Sequence, residues 1–172
     1  MKKIFFSFLI FCFCSLTSLY PQQNLNIVYI NFSKVFSEYE ATKDAESTLE
    51  QKDRLRQEQR EKIVEEIRQL RDKSALLTPE GKQEKQPLIE DKMKKLQEFD
   101  QQSRSEMAKT RDDALRKIIQ EIKDYVKEYA EKQGYDIVLN MAEAVVVYGR
   151  PELDRSSDII KGLNESYTQK RK

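Results

Sequence analysis

The sequence predicts an α+β chain, mostly helical, in which a long antiparallel helical hairpin stands on a small β body. Three observations predict it. Charged residues make up 35% of the chain while glycine and proline number only four each, a composition suited to long helices and poor in turns. Two of the prolines and one glycine fall in a single stretch, LLTPEGKQEKQP (Leu76 to Pro87), between runs without either residue, Gln22 to Thr78 and Leu88 to Gln133. Short runs of β-branched and aromatic residues lie at both ends of that pattern.

Residues 1–18 open with Lys2 and Lys3, continue apolar from Ile4 to Leu16 and end in small and polar residues, the three regions of a cleavable export signal. The apolar run is shorter than the roughly 20 residues that a helix needs to cross a bilayer. A lipid attached at Cys12 or Cys14 is the other processing to consider, but Phe11 and Phe13 stand where a small residue is wanted. Cleavage near Leu19 removes both cysteines, so no disulfide framework is expected.

Asn24 to Phe32 (NLNIVYINF) reads as a strand, and Ser33 as the N-cap of the helix that follows. Ile63, Ile67, Leu70, Ser74 and Leu77 recur at steps of four and three, a thin seam able to zip to one partner helix. The spacing resumes with Ile89, Met93, Leu96, Asp100, Ser103, Met107, Thr110 and Ala114, then Ile118, Ile122, Val126 and Tyr129. Its polar members predict a helix pair held loosely over Asp100 to Thr110 and firmly near its root. Gly134 is placed to end the run in the left-handed conformation. YDIVLN (135–140) and AVVVY (144–148) read as two strands joined by the turn MAE, and a last helix is predicted from Ser157 to Tyr167, with Ile159, Ile160 and Leu163 buried.

Lys34 to Leu77 and Leu88 to Glu131 are equal in length, each spanning about 65 Å at the helical rise. Folded antiparallel about a tip near 76–88, they form an arm over 34–133 that returns the chain to its start. Residues 24–33 and 134–172 then build one body. Within the tip, Thr78 as N-cap with Pro79 at the first helical position starts the return helix early and leaves Pro87 inside it; a start at Pro87 is the alternative. The body holds too little apolar material to stand alone, so an obligatory oligomer is expected, with Ile27, Val28, Ile30, Val138, Val145 and Val147 as its apolar core.

Catalytic chemistry finds few carriers. The chain has no histidine, and its two cysteines lie within the signal, which excludes histidine-based triads, mature cysteine nucleophiles and ordinary zinc sites. Neighbouring acids such as Glu65 and Glu66 sit in stretches dense in charge, where they read as surface. No glycine-rich loop offers a phosphate site, so neither enzyme activity nor a cofactor is expected. Without Lys2 and Lys3 the 31 basic residues come within one of the 30 acidic ones, and no nucleic-acid partner is expected.

The arm carries the remaining candidates. Met93, Phe99 and Met107 offer soft apolar surface, although methionine at seam positions also reads as core filler. Lys92, Lys94 and Lys95 belong to a slight positive surplus toward the tip, consistent with a solvated mixed-charge end or with contact to anionic lipid or an acidic client, and with Met93, Phe99 and Met107 they are the candidate client-contacting residues of the arm.

In the order strand, long helical hairpin, strand pair and short helix, the chain resembles the bacterial periplasmic chaperone family called Skp or OmpH. The resemblance rests on NIVYINFSKVFSEYEATKDAESTLEQ at the front, LLTPEGK at the tip, and EYAEKQGYDIVLNMAEAVVVYGRPELDRSSDIIKGLN at the back. It implies a homotrimer with a small β body and three arms enclosing a cavity, which holds unfolded outer-membrane proteins in the periplasm without ATP. The resemblance alone supplies the number three. Well-studied members are strongly basic where this chain is nearly balanced, so weaker and less salt-sensitive steering of clients is expected here, and no residues are assigned to lipopolysaccharide. A coiled-coil scaffold or spacer of the cell envelope is the alternative function.

Overall fold

In the computed structural model, residues 24–141 and 146–171 are described. The first strand, β1 (Ile27–Ile30), leads through Asn31 into a short helix, α1 (Phe32–Glu38). The cap is Asn31, not the predicted Ser33: the Asn31 side chain accepts from Lys34 N at 3.0 Å. Both residues are good caps, and an Asn two positions upstream was open to the same role.

The predicted continuous first arm is broken. At Tyr39 the backbone turns extended (φ −70°, ψ 125°) before α2 (Glu40–Ala75) begins. The tip is also tighter than the predicted 76–88. Only Leu76, Leu77 and Thr78 separate α2 from α3 (Pro79–Gln133). Thr78 accepts from Gly81 N, Pro79 occupies the first helical turn where its missing N–H needs no partner, and Pro87 lies inside the helix. The arms are therefore unequal, 36 residues against 55, because the break at Tyr39 shortens one and the early start lengthens the other.

Gly134 ends α3 at φ 70°, as predicted, and its N–H bonds to Ala130 O. The chain then enters β2 (Ile137–Asn140), which runs parallel to β1 in the register Ile27↔Ile137 to Ile30↔Asn140. Flanking bonds from Asp136 N to Asn26 O and from Met141 N to Ile30 O extend the ladder at both ends. The whole hairpin is thus the crossover of a parallel pair, a connection that must be long because it leaves the end of β1 and has to come back along the sheet to the start of β2.

The predicted strand 144–148 is not found over Val146 to Tyr148; Ala144 and Val145 lie outside the described residues. Along the other edge of β1, Tyr29 instead bridges Asp154, and Arg155 N donates to Tyr29 O at 2.9 Å. A short 3₁₀ turn (Pro151–Leu153) precedes the last helix, α4 (Ser156–Lys170), longer at both ends than expected.

The core sits where body and arm meet. Ile30, Val35, Tyr39, Ala41, Ile118, Ile122, Ile159 and Leu163 form one buried cluster drawn from β1 and all four helices. Ile159 and Leu163 are buried as predicted, while Ile160 is half-buried. Burying each such aliphatic side chain contributes roughly 1.5–3 kcal/mol. Toward the tip the seam thins to Ile67, Ser74 and Ile89.

Candidate functional site

Three regions remain after the core is formed: the middle of the arm, its tip, and one flank of the body. In the middle of the arm Phe99 and Met107 are half-buried and line one open groove of about 380 Å³ with Arg56, Arg60, Asp100 and Ser103. The two arginines reach across from α2. Arg60 Nε lies 2.9 Å from Asp100 Oδ1, and Arg56 bonds Glu106 Oε2 at 2.6 Å and Ser103 O at 3.1 Å. Asp100 and Ser103 are therefore not gaps in the seam but acceptors in a cross-arm ladder. Exposed pairs of this kind contribute only ~0.2–1 kcal/mol each, so this stretch is still held less firmly than the aliphatic root.

Sequence reasoning missed Arg56 and Arg60. The signal was present: folding the chain back on itself at Glu80 brings Arg60 level with Asp100.

Met93 is 45% exposed, and its sulfur accepts from Arg71 Nη2 at 2.9 Å. Lys92 crosses the arm to Glu66 at 2.5 Å. Lys95 pairs with Asp91 at 2.7 Å within its own helix, a bond that raises its pKa, and Lys94 lies 3.9 Å from Glu98. These lysines thus face carboxylates and leave little uncompensated charge. The structure brings Phe99 and Met107 together, with Lys92 and Met93 further toward the tip. Leu76, which was not among the candidates, is 88% exposed at the apex, with Leu77 and Leu88 partly open nearby in the sequence.

On the body, Val28 and Ile30 are buried within the chain itself and Val138 is half-buried. Ile27 and its register partner Ile137 are 37% and 39% exposed, and Val147 is 95% exposed. Val147 is thus no part of this chain's own core, and Val145 falls outside the described residues. An apolar groove of about 570 Å³ is lined by Ile30, Phe32, Val126, Val138 and Leu139, with Lys123 and Lys127 among its walls.

Three tyrosine–carboxylate bonds tie the root of the arm together. Tyr39 donates to Glu121 at 3.1 Å, Tyr129 to Asp158 at 3.3 Å and Tyr167 to Asp44 at 3.0 Å, linking α2, α3 and α4 in a closed circuit. Burial and then the Asp158 charge push Tyr129 up to about 12; burial and Glu121 raise Tyr39 further. These hydroxyls are structural donors, since a phenol held protonated is no base near neutral pH. Among the described residues no cluster of three or more His, Cys, Asp or Glu side chains is arranged to hold a metal, and no helix is long and apolar enough to cross a membrane.

Comparisons with known proteins point one way. The family described as Outer membrane protein (OmpH-like) matches residues 26–163. A stretch of 47 residues is 45% identical to the chaperone protein Skp of Vibrio cholerae serotype O1, covering 27% of this chain and 27% of that protein, so the match spans about a quarter of the relative's length. A crystal structure described as an OmpH-like outer membrane chaperone, from Caulobacter crescentus CB15, superposes with a TM-score of 0.68 over 88% of this chain and 90% of the other. Sequence identity there is 14%, so that likeness speaks to the fold.

Proposed function

The chain belongs to the OmpH-like family of outer membrane proteins, and from that premise we propose that it is an ATP-independent holdase of the periplasm. On this reading it encloses unfolded outer-membrane proteins between its arms and keeps them from aggregating in transit. It works as a homotrimer, uses no cofactor and catalyses no reaction. The observation that carries the reading is the arm. Its two helices spend most of their surface on neither core nor partner, and they offer Met93, Leu55 and Leu88 to solvent among charges of both signs. A surface of scattered soft apolar groups and short-range charge suits many weak contacts with a chain of no fixed sequence. Phe99 and Met107 add apolar contact in the mid-arm groove.

Self-association fits the flank of the body. Ile27, Ile137 and Leu139 remain open beside the edge of β2 that no described residue pairs, and a second copy would cover them. Weak contact of the tip with anionic lipid rests on Leu76 and the neighbouring Lys73, Lys82 and Lys85. The alternative of an envelope spacer draws support from the cross-arm ladder at Arg56 and Arg60, which stiffens the middle of the arm.

Light scattering during dilution of a urea-denatured outer-membrane protein separates the two. The holdase suppresses scattering at one trimer per client, and a spacer leaves it unchanged. Equilibrium sedimentation at micromolar concentration checks assembly: a stable folded monomer would refute the trimer.

A further inference from the structure

The break at Tyr39 frees backbone groups that an unbroken helix would have paired, and one side chain takes two of them. Asn164 of α4 accepts from Glu40 N through Oδ1 at 2.9 Å and donates through Nδ2 to Glu38 O at 3.2 Å. Near neutral pH it is a carboxamide, not an ionised carboxylate, that presents an acceptor and a donor side by side in this way. The return helix α3 has no such break, running unbroken from the tip into the body.

Two parallel rods fixed together at one end bend only if they slide past each other at the other end. For helices packed about 9 Å apart, a bend of about 15° requires a slide of about 2 Å at the root. Since α3 is continuous, the slide falls on α2, whose root is held by α4 at two places, at the break by Asn164 and at Asp44 by Tyr167 and Arg171. A shift of that size exceeds what either Asn164 bond tolerates. Along the arm, the polar stretch around Asp100 and Ser103 opposes sliding less than interlocked aliphatic side chains would.

We propose that the break at Tyr39 is a slip joint and that Asn164 is its positioning residue. It holds α2 in register while the arm is straight and releases it when the arm bends. The body helix α4 thereby sets the resting angle of the arm. The use of such bending, to fit clients of different size, rests on the holdase reading; the joint itself does not.

Spin-label distances in the full chain test it without any client, with Cys12 and Cys14 replaced by serine and labelled chains diluted into unlabelled ones. One pair joins Lys52 on α2 to Lys161 on α4, the other Lys109 on α3 to Lys161. In Asn164→Leu the first distribution broadens at least twofold and the second stays as in the parent. Asn164→Asp keeps the acceptor but loses the donor, so it broadens the first pair at about pH 7 and partly recovers at about pH 4, where about half of the introduced carboxyls, with an ordinary pKa of about 3.9, hold a proton. Equal broadening of both pairs, which a general loosening of the fold would give, overturns the proposal. So does no change in either variant, or broadening in Asn164→Asp that is the same at both pH values. A chain that shows the expected pattern yet fails to suppress aggregation refutes the holdase and leaves the joint standing.

Discussion

The Tyr125 hydroxyl of α3 packs so closely on Gly162 of α4 that a Cβ placed on the glycine would stand 1.7 Å from the oxygen and 2.6 Å from the ring carbon bearing it. Alanine in a helix interior is otherwise favoured over glycine by about 1 kcal/mol. Overlap at this crossing outweighs that gain, and Gly162→Ala is expected to destabilise the fold by about 1–2 kcal/mol. Adding Tyr125→Phe removes the nearest atom and restores part of the loss. Urea unfolding followed by circular dichroism measures both, and a Gly162→Ala chain more stable than the parent would contradict the packing.

Gly134 offers the opposite case. Nothing lies within 4 Å of a Cβ placed there, but its φ of 70° belongs to the left-handed region. Gly134→Ala should therefore cost about 1–2 kcal/mol through the backbone alone. Gly134→Asn, which tolerates that region, should cost less. Equal urea midpoints for the two variants would show that the helix ends by some other means.

How much of this was legible in the sequence depended on whether the cause was local. Thr78 and Pro79 carry their own instruction, an acceptor for the free amides followed by a residue with none to satisfy, and the return helix starts there. Gly134 is local in the same way. The break at Tyr39 is not: no glycine or proline marks it, and its support comes from Asn164 and Glu121, far along the chain. The run AVVVY has strand propensity, yet the edge of β1 is taken by Asp154 and Arg155, whose bonds no periodicity announces. Of the candidate site, the seam spacing located Met107, and Phe99 stood out only as a soft apolar side chain beside the seam. The arginines that share their groove were hidden by reading the two arms separately.

Alkaline pH should weaken the root of the arm. In the folded chain Tyr129 is pushed up to about 12, and burial also raises Tyr39 and Tyr167, whereas an unfolded tyrosine ionises near 10. Groups whose folded pKa is raised contribute stability that is fully present below the unfolded value and is lost as pH climbs toward the folded one. The urea midpoint should hold up to about pH 9.5 and fall between about pH 10 and 12. Lys95 and Lys132, also raised by their carboxylate partners, act in the same direction but are exposed and screened. In Tyr129→Phe the fall should be shallower; an equally steep fall would place the alkaline sensitivity elsewhere.

The ladder in the middle of the arm yields the sharpest link between packing and function. Replacing Arg60 alone by leucine leaves Asp100 in the seam without its partner, and a loss of about 0.5–1 kcal/mol is expected. Replacing both by leucine substitutes an apolar pair for an ionic one, which is expected to stabilise the arm by about 1 kcal/mol and to reduce the dependence of the urea midpoint on salt between about 0.05 and 0.5 M. Leucines at 60 and 100 would fill the part of the groove beside Phe99 and Met107 that the ion pair now lines. The double variant should therefore suppress client aggregation less well than the parent while resisting urea better. Higher stability with undiminished suppression would show that client contact does not depend on this groove, and a double variant less stable than Arg60→Leu would show that the two positions do not meet across the arm.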